Sequence, residues 1–132
     1  MDKENTVTFK FQIPGRCVVK KNSQRVVGFG KSKHVIYSPK FIAWHKVAML
    51  HLRQRWTDND PINEFMKLTI RFYFANHQSE ADVSNLIEGP QDALTKAGVI
   101  VDDKLIYEIH AMKIFGEEPR TEIELEMLDK PY

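Results

Sequence analysis

The chain has 132 residues, 42% of them hydrophobic and 28% charged, with a formal net charge of +1, a composition that suits one folded domain and excludes a disordered or low-complexity chain. No apolar run approaches the roughly 20 residues needed to span a bilayer, and the opening Met1-Asp2-Lys3-Glu4-Asn5 lacks the apolar stretch of a secretory signal. A cytoplasmic protein is therefore expected. A single cysteine, Cys17, excludes an internal disulfide and a multi-cysteine zinc centre and reads as a small buried or half-buried apolar residue.

In chain order, Val7, Phe9, Phe11 and Ile13 alternate with polar residues, which predicts a half-buried strand over 6–13 that ends at Pro14-Gly15. The stretch 16–33 is basic and rich in turn residues, and reads as a mobile loop or loose hairpin with Gly28-Phe29-Gly30 at its tip. A short strand over 34–37 follows. Ser38 is a helix cap and Pro39 a first helical residue. Phe41, Trp44, Val47, Ala48, Leu52 and Trp56 then give helical spacing to about residue 56, with both tryptophans read as core.

After the turn-rich 57–61, Met66, Leu68, Ile70, Phe72 and Phe74 share one face of the strongest predicted strand. A polar loop covers 76–80. A second helix is expected over about 84–97, closed by Gly98 and kinked or restarted by Pro90. Strands over 105–115 and 122–128 flank a turn at 116–120. The order β-β-α-β-α-β-β predicts an α+β (mixed α/β) single domain over 1–132, two helices against one small mixed sheet.

Charge is unevenly distributed along this order. From Asn5 to Thr57 there is no Asp or Glu, while Lys10, Arg16, Lys20, Lys21, Arg25, Lys31, Lys33, Lys40, Lys46, Arg53 and Arg55 are all basic. A surface of that kind suits a polyanion, of which a phosphate backbone is the commonest. The acids gather later. Asp82 follows the strong strand at a helix start, and Asp102-Asp103 follows Gly98 just before the next strand. If the helix packs back on the sheet, these carboxylates lie near one sheet edge, where a divalent cation would relieve their repulsion. Mg²⁺ beside a basic surface suits phosphodiester cleavage. From the residues alone a second reading stays open: Asp82 or Ser84 as an ordinary helix cap and Asp102-Asp103 as an ordinary turn. Five histidines show no zinc spacing, Asn85 suits a cap or turn, and Asp92 suits a structural or interface position.

The run Asp82-x-x-Asn85-Leu86, then Asp92-Ala93-Leu94-Thr95-Lys96-Ala97-Gly98, then Asp102-Asp103 resembles the RusA family of Holliday-junction resolvases, as does Ile13-Pro14-Gly15 followed by Lys20-Lys21-Asn22-Ser23. The resemblance implies a homodimeric endonuclease, found often in prophages, that nicks four-way DNA junctions symmetrically with Mg²⁺, or Mn²⁺ in its place. It implies neither a nucleotide cofactor nor a membrane partner. By position it makes Asp82 and Asp103 catalytic metal ligands and Asp102 their acidic neighbour. Two positions depart from the family pattern: Ser84 stands where a second aspartate is expected, and Glu88 where a catalytic lysine is expected. Ser84 is a weak ligand, and Glu88, or Glu80, would restore the lost charge. Lys20, Lys21, Asn22, Arg25, Lys31 and Lys33 are the implied DNA contacts. The alternative is a catalytically impaired relative that binds branched DNA without cutting it.

Overall fold

A computed structural model gives the fold. It describes residues 6–20, 24–27, 34–77 and 81–129, with backbone alone for 24–27 and 34–36. The element order is β1 (Thr8–Pro14), β2 (Gln24–Val27), β3 (His34–Tyr37), α1 (Pro39–Arg55), β4 (Met66–Phe74), α2 (Val83–Leu86), α3 (Glu88–Lys96), a 3-10 turn (Asp103–Leu105), β5 (Ile106–Phe115) and β6 (Arg120–Met127). This is the α+β class that the sequence predicts. The basic stretch after β1 includes a hairpin, since β2 and β3 pair antiparallel as a separate two-stranded sheet.

The main sheet has the order β1-β6-β4-β5. β4 is central, antiparallel to β6 and parallel to β5. Its alternation sets the two faces. Met66, Leu68, Ile70, Phe72 and Phe74 are all at most 3% exposed and face the helices, as burial of one face of a pleated strand requires. On the opposite face, charged side chains satisfy one another. The Tyr73 hydroxyl donates to Glu122 at 3.0 Å, Arg120 donates to Glu122 at 2.9 Å, and Arg71 and Lys10 both reach Glu124. Burial works against ionisation of Glu122, but Arg120 and Tyr73 prevail and hold its carboxyl below the usual range.

α1 begins as its residues dictate: the Ser38 hydroxyl accepts from the Phe41 amide at 3.2 Å, and Pro39 needs no amide partner there. Phe41, Trp44, Ala48 and Leu52 form its buried stripe. Trp56 closes it, with Nε1 donating to the Asp60 carbonyl at 2.9 Å and the ring packed edge-on to Phe9 at 4.9 Å. Val47, expected in this stripe, is 36% exposed instead, because α1 faces the sheet and α3 through Trp44 and Ala48, one residue to its other side. The predicted second helix is two segments. Ile87 keeps α conformation (φ −64°, ψ −33°), but Pro90 has no N–H to give the Leu86 carbonyl, and the ladder breaks there. Gly98, at φ +79°, closes α3 as expected. The buried side chains of sheet and helices form one core.

Candidate functional site

Strand direction decides where the candidate residues fall. β4 and β5 are parallel, so the α2–α3 segment joining them runs antiparallel to both. Its start lies beyond the C-terminal end of β4 and its finish beside the N-terminal end of β5. Asp82 precedes α2 and is exposed. Its backbone carbonyl accepts from the amides of Asn85 (3.0 Å) and Leu86 (3.1 Å), but its carboxylate makes no cap bond. The ordinary helix-cap reading of Asp82 therefore fails, and its two oxygens remain outside the helix's own hydrogen bonding. Ser84 and Glu88, four residues apart and both exposed, stand one above the other on the adjoining surface. Asn85 is half-buried.

Lys113 fixes the residue before Asp82. It pairs with Phe72 in register, so its side chain emerges on the helix side of the sheet, and its Nζ donates to the Ala81 carbonyl at 2.9 Å. Sequence reasoning missed Lys113. The signal was a lysine at an alternating position of an otherwise apolar strand face. Glu80 lies outside the described residues.

Asp102 and Asp103 are at the other end of β5. Asp102 does what a turn aspartate does: its Oδ1 accepts from the Lys104 amide at 2.9 Å. That amide, then a hydrogen bond with the Asp103 side chain, lowers the Asp102 carboxyl below its ordinary range. Asp103 is exposed beside it. The turn packs near the C-terminal end of α3, and Val99 to Val101 are tied to Ile62 by two backbone bonds of 2.8 and 3.0 Å.

The expectation that Asp82 and Asp102-Asp103 come together near one sheet edge is not met within one chain. Both flank β5, which is an edge strand, but at opposite ends. Seven residues along β5 separate Ile106 from Lys113, about 23 Å at the usual rise. The fifteen residues from Asp82 to Ala97 in near-continuous helix give about 22 Å. The physical reason is the crossover: a helix long enough to return along a strand carries its two ends apart. Among the described residues no three His, Cys, Asp or Glu side chains of one chain come together to hold a metal. The donors themselves are carboxylate and hydroxyl oxygens, a set that fits a hard divalent cation.

Among the described basic residues, Arg16 and Lys40 lie at the Asp82 end, whereas Arg53 and Arg55 are in the last turn of α1. Pro14 pairs with Arg120 and Arg120 with Tyr73, so the C-terminal ends of β1 and β4 coincide, and α1 starts there too. Arg16 lies over the Phe74 ring at 5.7 Å from its centroid. Lys20, one of the expected phosphate contacts, has protein neighbours. It is ion-paired to Asp92 at 3.4 Å and lies over Tyr37 at 5.6 Å. Asp92 also takes Lys96 (3.2 Å) and His45 (3.2 Å), joining the segment after β1 to both α1 and α3, which makes it the structural residue that the sequence suggests. Burial opposes its ionisation, yet Lys96 and Lys20 hold its carboxyl below the usual value. Lys21, Asn22, Lys31 and Lys33 lie outside the described residues, and only the backbone of Arg25, in β2, is described.

An open groove of about 660 Å³ lies at this same end, between the segment after β1, the first turns of α1, Phe74, Ala81 and Leu86. Cys17 is in its wall, but burial pushes the thiol up to about 12, which makes it inert as a nucleophile. Among the described residues no helix is long and apolar enough to cross a membrane.

Comparison with known proteins bears on these arrangements. The chain is 30% identical over 83 residues to a crossover junction endodeoxyribonuclease RusA from Aquifex aeolicus (strain VF5), an alignment covering 63% of this chain and 64% of that relative. The family model described as endodeoxyribonuclease RusA matches residues 14–126, which include the segment after β1, Asp82, the α2–α3 unit and the Asp102-Asp103 turn. With a match over most of its length, the chain belongs to the endodeoxyribonuclease RusA family.

Proposed function

We propose that this protein is a metal-dependent endonuclease that resolves four-way DNA junctions, and that its active site is completed by a second copy of the chain. The observation that carries the reading is the Asp82 carboxylate. It stands exposed before a helix without capping it, at the sheet end where Arg16 and Lys40 lie, with the Asp102-Asp103 pair at the far end of the same edge strand.

β5 supplies the means of assembly. It is ten residues long, contains no proline, and exposes Tyr107, Ile109 and Met112 at 45, 41 and 37%. An unprotected edge of that kind is a template for pairing with another strand. Two copies joined antiparallel along β5 about a twofold axis would bring Asp103 of the partner subunit to the end where Asp82 stands, and the reciprocal pair to the other end. One dimer would then hold two equivalent sites at a fixed separation, as paired nicks in a four-way junction require.

Asp82 and Asp103 would hold Mg²⁺ or Mn²⁺, with Glu88 and Ser84 on the surface beside them. A bound cation of this class polarises the phosphodiester and lowers the pKa of a water. Asp102 positions Asp103 by fixing the turn through the Lys104 amide. Lys113 positions Asp82 through the Ala81 carbonyl. Arg16 and Lys40, together with the basic stretch between β1 and α1, would bear the phosphate backbone, which sets affinity and orientation and not sequence.

The test is incubation of the protein with a synthetic four-way junction and Mg²⁺ or Mn²⁺. Symmetric nicks that disappear in Asp82→Asn and Asp103→Asn, with junction binding retained, support the proposal. A wild-type protein that binds the junction tightly and never nicks it favours the non-cleaving alternative, for which Ser84 and Glu88 are the residues to blame.

A further inference from the structure

The groove beside Asp82 has the dimensions and composition of a ligand site that the cleavage chemistry does not use. Its volume, about 660 Å³, is in the usual range for small-molecule and cofactor pockets. Its walls are mostly apolar: Val18, Ala43, Trp44, Phe74 and Leu86, with Arg16 and Lys40 as the cations. Trp44 and Phe74 belong to the buried core, so their positions are fixed. Arg16 covers the Phe74 ring at 5.7 Å from its centroid, and Phe74 is only 3% exposed, so a flat group entering there meets the guanidinium and the apolar wall around it. Ala81 lines the groove, and the next residue is Asp82. A bound molecule would thus lie one residue from the carboxylate proposed to attend the scissile phosphate.

We infer that this groove receives an unstacked nucleobase from the nucleotide next to the scissile phosphate. The inference rests on the nuclease reading above and adds a base-binding subsite to it. Three features select this occupant. The walls are mostly apolar, with a guanidinium at the rim, which suits a base face. The two side chains that carry charge are cations, which suits the phosphates on either side of that base and would repel a basic peptide. The groove wall also includes Ala81, the residue before Asp82, so a base seated there leaves its phosphate within reach of that carboxylate. Four-way junctions have bases at the crossover that are cheaper to unstack than those of a continuous duplex. Pulling one such base aside would hold the adjoining phosphodiester at the carboxylate, and the shape of the groove would impose a preference for the base taken.

Ala43 offers a way to block the groove without touching the proposed cation ligands, since it is exposed on α1 and lines the cavity. The experiment is a cycle between protein and DNA, using wild type and Ala43→Phe on intact four-way junctions and on junctions with an abasic site placed on either side of the cleaved bond in turn. Cleavage rate and junction affinity are both measured, and circular dichroism checks that the variant is folded. Loss of one stacked base weakens wild type roughly tenfold on one of the two abasic junctions. Ala43→Phe shows a similar loss on the intact junction and no further loss on that abasic one. Val47→Phe, which fills the groove from the next turn of α1, repeats the pattern. Additive losses would overturn the inference and give the groove to another occupant, such as a segment of a second copy of the chain. So would wild type that ignores both abasic sites. A wild-type protein that cleaves normally but shows either result loses only the base subsite. One that neither binds nor cleaves any junction loses the nuclease reading as well.

Discussion

At the Asp82 end of the sheet a carboxylate precedes a helix and leaves the helix amides alone; at the Asp102 end a carboxylate folds back 2.9 Å onto the amide of Lys104 and caps its own turn. Both are acids at the residue before a helical turn, and sequence alone gives both the same structural explanation. Their hydrogen bonds separate them. A cap is accounted for by the bond that it makes, whereas an aspartate that declines the cap and stays exposed beside a basic surface needs another reason to be there. In the Asp102-Asp103 pair the structural member is Asp102, and Asp103 is the more exposed one.

That contrast predicts unequal effects of one chemical change. Asp82→Asn and Asp103→Asn each remove a proposed cation ligand, and junction cleavage should fall on the order of a thousandfold with affinity nearly unchanged. Asp102→Asn keeps an oxygen acceptor for the Lys104 amide, so its cleavage loss should stay at the low end of the roughly 10–100-fold range of a residue that orients a ligand. Single-turnover rates on one junction would compare all three. Equal losses at Asp102 and Asp103 would break the distinction between holder and ligand.

Stability should follow a different map. Phe72 is fully buried in β4, two residues from its C-terminal end, and Phe72→Ala should cost about 3–5 kcal/mol in denaturant unfolding. The same measurement on Asp82→Asn should show almost no change, because that side chain is exposed and makes no cap bond. A large stability loss at Asp82 would mean that it carries structure after all.

The smallest effect concerns Asp92. Its carboxyl ionises more readily in the folded protein than in the unfolded chain, because Lys96 and Lys20 outweigh the opposing cost of burial. Such a group stabilises above its unfolded pKa of about 3.9, and the contribution is lost as pH falls through the lower folded value. Thermal melts of wild type against Asp92→Asn should therefore differ by less than about 1 kcal/mol near neutrality, and the difference should vanish in acid. Junction affinity of the variant should drop a few-fold as the Lys20 segment loosens, with the cleavage rate of bound junction unchanged.

Much of the fold is legible in the residues because it is local. The alternation of Met66 to Phe74 gives β4, Ser38-Pro39 gives the start of α1, and Gly98 closes the second helical unit. Pro90 announces a break there, though the ladder fails one turn earlier than the proline itself, where the carbonyl of Leu86 lacks its donor. Val47 fits the apolar spacing but lies outside the buried stripe, since spacing marks a face and packing decides its width. The site is legible as a set of residues but not as an arrangement. The strand–helix–strand order favours a parallel crossover, and it is that direction, not any local pattern around the acids, that puts Asp82 and Asp103 at opposite ends. Nor does local sequence join Lys20 to Asp92, or Lys113 to Ala81, because those contacts exist only once the helices have docked.

The central claim is that Asp82 and Asp103 act together across two copies of the chain, and mixing two dead variants tests it most directly. Asp82→Asn and Asp103→Asn are refolded together at equal concentration and assayed on a four-way junction with Mg²⁺. If the site is shared between subunits, a mixed dimer retains one intact Asp82 beside one intact Asp103, and nicking of a single strand returns although neither variant nicks alone. If mixed dimers form and nicking stays absent, Asp82 and Asp103 do not meet across the subunit boundary, and a site shared between two chains is ruled out.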